Sequence, residues 1–416
     1  MAGPFRNIRV LEVARTVAAP LAGQMLADLG AEVIKVEALD GDPMRLMGAG
    51  GVAMPDGSVG DRSVFIGVNR NKRSIAVDLA KPEGAQIVRD LAATCDVFIE
   101  NFKVGDLSRR GLGYDAIKAV NPRIIYLSLT GFGQTGPYRD RPGMDNIVQG
   151  LSGYMSMVGE PDTPPGVSPV AIMDASAGAN AAIAISAALY ERDVHGGPGQ
   201  HIDISLLDVG IALVGYKLLG ALLAGVQPPR GQRIRGWIPG GVYQTSDGYV
   251  QTGCQSDAEF ERFCGCLERP DLLQDPRYKD RWLRTDNQVP LIVECQKTFL
   301  TRTTADWVDR FSQARLMVGP VLSLLEVAEN EQVKSRDLIM DLDHVSGGRA
   351  KLIRNPLRFS ETPIEDYRSP PMLNQHAHEV LHDLLDLSAE RIEALRDAGV
   401  IGPAPQRTAP ASEHAG

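Results

Sequence analysis

Asp174 occupies a position in the sequence that is well suited to chemistry. It follows an apolar run, 170–173, and precedes a run of small residues, 175–182. This pattern places the carboxylate at or near the N-terminus of a helix, where the dipole and free N–H groups stabilise an ionised side chain. A nucleophilic carboxylate must be ionised. Because aspartate is also a common helix cap, the residues alone favour a structural cap and leave the nucleophile as the second interpretation.

A glycine motif at 131–136 matches the pattern G-x-G-x-x-G and follows an apolar run that is typical of a strand. A dinucleotide site also requires a helix to begin at this point, so that its N-terminus meets the pyrophosphate. Pro137 and Pro142 interrupt the following residues, and helical character returns only near Ile147. The motif therefore does not predict an NAD or FAD site.

The segment 378–382 reads H-E-x-x-H and places two histidines on one face of a predicted helix, as in zinc proteases. The same helix carries the leucines of an ordinary amphipathic helix, so we interpret it as a surface helix without metal. The five cysteines are scattered, and Cys264 and Cys266 lack a second pair, which is typical of reduced thiols. We expect no metal site.

Basic residues at 69–73, with Lys103 and Arg109, are candidates for phosphate binding. Taken alone, they are more typical of solvated surface charges.

Length and composition restrict the functional class. A chain of 416 residues with 44% hydrophobic and 23% charged residues predicts a globular protein of two domains. A net charge of −9 argues against nucleic-acid binding. We find neither an unbroken apolar stretch of membrane-spanning length nor the apolar core of a secretory signal, and we expect a cytoplasmic protein.

Strand-like and helix-like runs alternate through the first third of the chain, which predicts an α/β fold with a parallel sheet. Residues 206–223 read as one apolar helical segment, and 242–252 as a hairpin turning at Asp247 and Gly248. The predicted organisation comprises four segments: a large α/β domain at 1–225, a small α+β domain at 226–330, a linker with a return to the large domain at 331–402, and a disordered tail at 403–416.

Several segments together resemble the class III CoA-transferases, the family of formyl-CoA transferase and carnitine CoA-transferase, with 2-methylacyl-CoA racemase as a relative. The resemblance extends over nearly the whole chain and rests on the order of its motifs. The matching segments are 10–37 (with L-A-D-L-G-A-E-V-I-K-V-E at 26–37), 69–78, 101–114, 130–137, Asp174, 199–200, 247–249, 319–321 and 376–400.

The resemblance implies that Asp174 is a covalent nucleophile in CoA transfer between carboxylic acids, with acyl-CoA as substrate and no permanently bound cofactor. It implies a Rossmann-like CoA-binding domain, a smaller domain with a substrate loop at Gly240 and Gly241, and an interlocked homodimer. The implied CoA contacts are Val17, Ala18, Val77, Asp78, Leu79, Ala80, Asn101, Phe102, Lys103, Arg109, Pro142, Gly143, Met144 and Asp145.

Departures from the family pattern reduce the number of activities that the resemblance allows. Ala38 stands where relatives often carry arginine, and Val17 replaces the glutamine of the formyl-CoA enzyme. Met144 stands where racemases carry a histidine and cannot act as their second base, so the sequence favours a transferase over a racemase or isomerase. A non-catalytic CoA-binding paralogue is the third alternative. Succinyl-CoA and a dicarboxylic acid are the expected substrates, and Arg230, Arg233 and Arg235 are either candidates for binding a distal carboxylate or a solvated linker.

Overall fold

A computed structural model of the chain describes residues 3–54, 56–231 and 237–403. Arg233, Arg235 and all but the first residue of the predicted tail at 403–416 lie outside the described residues. The chain divides into two compact units. The first comprises Met1–Ser156, Gly166–Pro228 and Arg336–Gly416, and the second comprises Met157–Pro165 and Pro229–Ser335.

A six-stranded sheet of parallel strands forms the centre of the first unit, which confirms the predicted α/β class. Numbered along the chain, its strands lie in the order 3-2-1-4-5-6, which is the order of dinucleotide-binding folds. From edge to edge the strands are Lys72–Ala76, Glu32–Glu37, Arg9–Val13, Val97–Glu100, Ile125–Thr130 and Gln200–Ser205.

Helices cover both faces of this central sheet, so residues on both faces of its strands are buried. Val10 and Val97 face a layer that includes Ala18–Asp28 and Ile172–Val194. Leu11 and Phe98 face the opposite layer, in which Pro82–Ala93 and the C-terminal helices pack. The other helices of this unit are Ser63–Asn69, Asp106–Arg109, Tyr114–Val120, Asp145–Leu151, Leu206–Leu213, Gly215–Ala224, Ala377–Leu385 and Ala389–Asp397, with a 3₁₀ turn at Pro43–Leu46.

The small residues after Asp174 allow two helices to approach closely, as their composition predicts. A Cβ atom on Gly178 would lie 2.7 Å from the carbonyl oxygen of Ala18 and 3.1 Å from Cβ of Leu21. The helix Ile172–Val194, hereafter the Asp174 helix, can therefore lie against Ala18–Asp28 only because residue 178 has no side chain.

The Asp174 helix is also long and apolar enough to be counted as a candidate membrane span. Its residues Met173, Ala177, Ala181 and Ile185 are buried in the same cluster as Val10 and Val97 of the sheet. This packing is that of a core helix in a globular unit.

The apolar segment 206–223 differs from its prediction as one helical run. Two helices, Leu206–Leu213 and Gly215–Ala224, meet at an angle of 67°. The break falls at Val214 and Gly215, and glycine has a low helix propensity.

A second sheet in the first unit joins distant parts of the chain. Its antiparallel strands lie in the order Ile339–Asp343, Arg349–Ile353, Gly51–Ala53 and Val59–Arg62.

The second unit has its own small core. Gly241–Gln244 and Tyr249–Thr252 form the predicted hairpin, and Val318–Pro320 completes a three-stranded antiparallel sheet. Aromatic residues dominate the core, including Tyr243, Phe299 and Trp307. Its helices are Asp257–Leu267, Pro270–Gln274, Arg281–Asp286, Gln288–Phe299, Thr304–Gln313, Leu324–Glu329 and Glu331–Ser335, with a 3₁₀ turn at Pro276–Tyr278.

The helix contact at Gly178 predicts a difference between two glycine substitutions. Gly178→Ala should lower the free energy of unfolding by about 1–3 kcal/mol, because the added methyl group overpacks the contact with Ala18. Gly67→Ala is the matched control, since a Cβ atom on the helical Gly67 would meet nothing within 4 Å and alanine has the higher helix propensity. Urea unfolding followed by circular dichroism measures both, and equal stability of the two variants would contradict the close packing.

Candidate active site

The strand order reverses between Arg9–Val13 and Val97–Glu100, and ligands of such sheets bind outside the carboxyl ends of the strands at this point. Here Arg15 and Thr16 follow the strand Arg9–Val13, and Asn101 follows the strand Val97–Glu100. These three residues line a cavity of about 510 Å³ together with Asp174, hereafter the Asp174 cavity. The fold thus places the predicted nucleophile at the expected ligand site.

Paired hydrogen bonds fix the loop after the first strand. The side chain of Asn101 accepts from the backbone N–H of Arg15 at 3.0 Å and donates to the carbonyl of Arg15 at 2.6 Å. Thr16 has a positive φ of 71°, which few residues other than glycine adopt. Its N–H donates to Oδ1 of Asp42 at 3.4 Å.

A buried ionic cluster lies beneath this loop. Nζ of Lys35 lies 3.0 Å from Asp42 and 3.2 Å from Glu12, and Nζ of Lys72 lies 2.7 Å from Glu12. Burial lowers the pKa of Lys72 to about 8, against the opposing attraction of Glu12. Because removal of one partner leaves a buried charge uncompensated, this cluster fixes Asp42 and thereby the loop at Thr16.

Asp145 bonds to the N-terminus of the Asp174 helix. Its Oδ2 accepts from the backbone N–H of Met173 at 2.7 Å and from that of Asp174 at 3.1 Å. Its Oδ1 accepts from Gln149 at 2.5 Å, and Gln149 accepts from the N–H of Ser168 at 2.8 Å. Asp145, predicted as a CoA contact, thus caps the Asp174 helix by accepting hydrogen bonds from two of its free N–H groups.

This arrangement shows that one expectation from the sequence is wrong. The free N–H groups do not stabilise ionised Asp174, because they bond to Asp145. Burial, together with the negative charge of Asp145, raises the pKa of Asp174 to about 7. Near neutral pH the Asp174 carboxyl group is therefore only partly ionised. Its anion is poorly solvated, which favours nucleophilic attack once the proton has left.

The glycine motif at 131–136 has a structural role in this site. A Cβ atom on Gly131 would lie 2.5 Å from Cα of Gly143, so the two loops touch through their backbones. This contact places Gly143 beside Asp145 at the edge of the Asp174 cavity.

The predicted CoA contacts separate into groups. Ala18, Asn101, Gly143, Met144 and Asp145 line the Asp174 cavity. A second cavity of about 290 Å³ is lined by Arg15, Ala38, Phe102, Arg110 and the predicted segment 77–80. Arg15 lines both cavities and is the residue they share.

Arg109 lies at a third cavity, of about 490 Å³, whose lining includes four cations, Lys81, Arg89, Arg109 and Arg110. The guanidinium of Arg110 donates to the carbonyl of Leu79 at 2.9 Å, and Arg109 pairs with Asp106. A basic lining of this kind suits phosphate groups.

Lys103 is separated from the other predicted residues. It lines a fourth cavity, with Glu100, Tyr114 and His201. Burial, with the charge of Asp203 adding to it, raises the pKa of Glu100 to about 7, and the carboxylate accepts from the N–H of Phe102 at 2.8 Å.

The remaining predicted residues lie elsewhere in the described parts of the chain. Val17 and Pro142 line none of the four cavities described above. Gly240 and Gly241 belong to the second unit, at the start of the strand Gly241–Gln244. In the same unit, the guanidinium of Arg230 donates to the carbonyl of Thr163.

The residues at the Asp174 cavity that the sequence does not predict include Arg15, Thr16 and Gln149. Arg15 and Thr16 directly follow the first strand, and this position would have identified them had the strand order been known. Gln149 lies one helical turn after Asp145 and carries no comparable signal in the sequence.

The H-E-x-x-H segment lies on the helix Ala377–Leu385, which buries its apolar face and exposes both histidines, and Glu379 pairs with Arg73 at 2.9 Å. Within the described ranges, no three His, Cys, Asp or Glu side chains cluster as metal ligands would.

Comparison with known proteins identifies the family of this chain. The sequence model of the family described as CoA-transferase family III matches residues 5–377 of this chain. The succinate–glutarate CoA-transferase of Agrobacterium fabrum is 39% identical over 92% of this chain and 96% of its own. The human succinyl-CoA:glutarate CoA-transferase is 34% identical over 96% of this chain and 90% of its own.

Among solved structures, a CaiB/BaiF family protein from Brucella suis superposes with a TM-score of 0.85 at 35% identity, over 92% of this chain and all of that one. A family match across most of the chain, with relatives of this identity and coverage, establishes the assignment. The chain belongs to CoA-transferase family III.

Proposed function

We propose that this protein transfers CoA from succinyl-CoA to a dicarboxylic acid such as glutarate, with Asp174 as the covalent nucleophile. The observation that carries the proposal is the position of Asp174, a half-buried carboxylate with a pKa near 7 in a cavity at the switch point of the sheet. The names of the relatives supply the substrates.

The proposed reaction begins with attack of the Asp174 carboxylate on the thioester carbonyl. A bond forms between Oδ of Asp174 and the acyl carbon, the C–S bond breaks, and CoA leaves as a thiolate from a mixed anhydride. The thiolate then attacks the aspartyl carbonyl carbon, which releases the donor acid with the bridging oxygen and leaves an aspartyl-CoA thioester. The acceptor carboxylate reverses these steps and leaves as acyl-CoA.

This sequence conserves the thioester bond energy and requires no net proton transfer. Asp145 contributes by holding the N-terminus of the Asp174 helix and by keeping the neighbouring carboxylate poorly stabilised as an anion. The second cavity, lined by the segment 77–80 and Arg110, is the proposed site for the nucleotide part of CoA, beside the four cations of the third cavity.

Removal of the nucleophile tests this proposal. Asp174→Ala and Asp174→Asn should each lower kcat for succinyl-CoA:glutarate exchange at least about a thousandfold, because no covalent intermediate can form. Asp90→Asn, on the exposed face of Pro82–Ala93, is the matched control and should retain activity. Trapping with hydroxylamine, followed by mass spectrometry, should modify Asp174 in the wild type and in Asp90→Asn, and should leave residue 174 unmodified in the other two variants.

An unmodified Asp174 with several acyl-CoA donors would reject the nucleophile. Incorporation of solvent deuterium at the α-carbon without an acceptor acid would instead indicate the isomerase alternative.

The like charge of Asp145 predicts a pH effect. Asp145→Asn keeps an oxygen that accepts from the helix N–H groups but removes the charge, so the pKa of Asp174 should fall below about 7. The nucleophilic form of Asp174 is the carboxylate, which predominates when the pH is above the pKa. The acid limb of the profile of kcat/KM against pH should therefore move to lower pH. An unchanged acid limb in Asp145→Asn would show that another group controls it.

We also propose that two copies form the homodimer implied by the family resemblance. The first unit exposes large apolar side chains on the Asp174 helix and the two helices after it, such as Ile183 at 67% and Leu223 at 80% exposure. The helices Leu206–Leu213 and Gly215–Ala224 are 8 and 10 residues long, about 12 and 15 Å at 1.5 Å per residue. Each is about half the thickness of a bilayer core, so a protein surface suits them better than lipid.

Light scattering coupled to gel filtration tests the dimer. The wild type should elute at twice the 44.9 kDa of one chain, and Leu222→Asp with Leu223→Asp should shift the mass toward one chain by burying charge at the interface. A wild-type mass of one chain at micromolar concentration would contradict the proposal.

A further inference from the structure

The charges around the Asp174 cavity are unfavourable for a dicarboxylic acid. Asp145 and Asp174 both line it, and among the described residues Arg15 is its single cationic lining residue. One carboxylate of the acceptor reacts at Asp174, where charge repulsion is relieved once the thioester has formed. The other carboxylate stays ionised and needs a cation within reach.

Arg15 has a fixed backbone and an uncommitted side chain. Both hydrogen bonds to Asn101 use backbone atoms of Arg15. Its guanidinium carbon lies 5.8 Å from the ring centre of Phe102, and the residue is exposed. Throughout the described residues, no carboxylate forms an ion pair with this guanidinium.

Other arginines of the same unit differ in this respect. Arg45 pairs with Glu37 and Asp61, Arg70 with Asp28, and Arg192 with Asp96. Their charges serve the fold. The charge of Arg15 is available to a ligand.

The phosphate groups of CoA have other cations available. Arg110 lines the second and third cavities but not the Asp174 cavity, and Lys81, Arg89 and Arg109 join it at the third. Arg15 alone among the cations of these cavities also reaches the Asp174 cavity.

We infer that Arg15 is the specificity residue of this enzyme, which binds the distal carboxylate of a dicarboxylic acyl group and so selects dicarboxylic over monocarboxylic acids. Its planar fork can form two parallel hydrogen bonds to a carboxylate, and the face of Phe102 orients it. The inference rests on the proposed function, because it requires CoA transfer at Asp174.

The experiment compares glutarate with butyrate as acceptor, at saturating succinyl-CoA. In a two-step reaction of this kind, kcat/KM for the acceptor reports only on the half-reaction in which the acceptor attacks, so effects on the donor do not enter. Arg15→Gln should lower kcat/KM for glutarate about ten- to a hundredfold, the range for a lost hydrogen bond to a charged group, and leave butyrate within about threefold. Arg15→Lys should recover part of the loss, because it restores the charge without the fork.

Arg110→Gln is the matched control. Arg110 lines the second cavity, as Arg15 does, but it does not line the Asp174 cavity. It should raise KM for succinyl-CoA and leave the preference for glutarate unchanged. Thermal unfolding of each variant verifies that the exposed substitutions leave the fold intact.

Each possible result either supports or overturns the assignment of Arg15 as the specificity residue. Equal losses with both acids in Arg15→Gln, together with a raised KM for succinyl-CoA, would mean that Arg15 binds the phosphates of CoA and would overturn the assignment. An unchanged preference for glutarate would overturn it as well. A wild type that transfers CoA to neither acid would reject the proposed function, and the role of Arg15 with it.

Discussion

The hydrogen bonds from the backbone N–H groups of Met173 and Asp174 to Asp145 are the interaction on which the site depends. A helix N-terminus ordinarily stabilises an anion in its first turn. Here the helix N–H groups stabilise Asp145, and Asp174 is half-buried beside a like charge. The carboxylates of Asp145 and Asp174 thus have different environments although they are close to each other. Asp145 is suited to capping the helix, and Asp174 is suited to nucleophilic attack.

Three distant segments must meet for this arrangement to form. The contact of Gly131 with Gly143 places the loop before Asp145. Gln149 links Asp145 to the N–H of Ser168, shortly before the Asp174 helix begins. The contact at Gly178 lets that helix lie against Ala18–Asp28, which follows the loop of Arg15 and Thr16. Contacts at small residues therefore set the positions of the segments that carry Asp145, Asp174 and Arg15.

Local sequence pattern predicts many of the helices and strands. The sequence predicts helices at 82–93, where Pro82 is a start signal, and at 114–120, and the structure has helices at Pro82–Ala93 and Tyr114–Val120. Asp174 was found by family resemblance, since a cap and a nucleophile share one local pattern. Its raised pKa does not follow from the local pattern, because the causes are burial in the folded unit and the charge of Asp145, which lies 29 positions earlier. Arg15 was missed for a related reason: its importance comes from the order of strands and from the absence of an ion pair with any described carboxylate, and neither is a property of its neighbours in sequence.

The central claim is that Asp174 itself forms and breaks covalent bonds in each turnover. Transfer of heavy oxygen tests it most directly, because the proposed steps leave one oxygen of the acceptor acid on the aspartate when the new acyl-CoA departs. Incubation with succinyl-CoA and glutarate labelled with heavy oxygen in its carboxylates should label Asp174, as read by mass spectrometry of the peptide that contains it, and should then label the released succinate. If both the Asp174 peptide and the succinate stay unlabelled while glutaryl-CoA forms, the transfer does not pass through this carboxylate and the account is wrong.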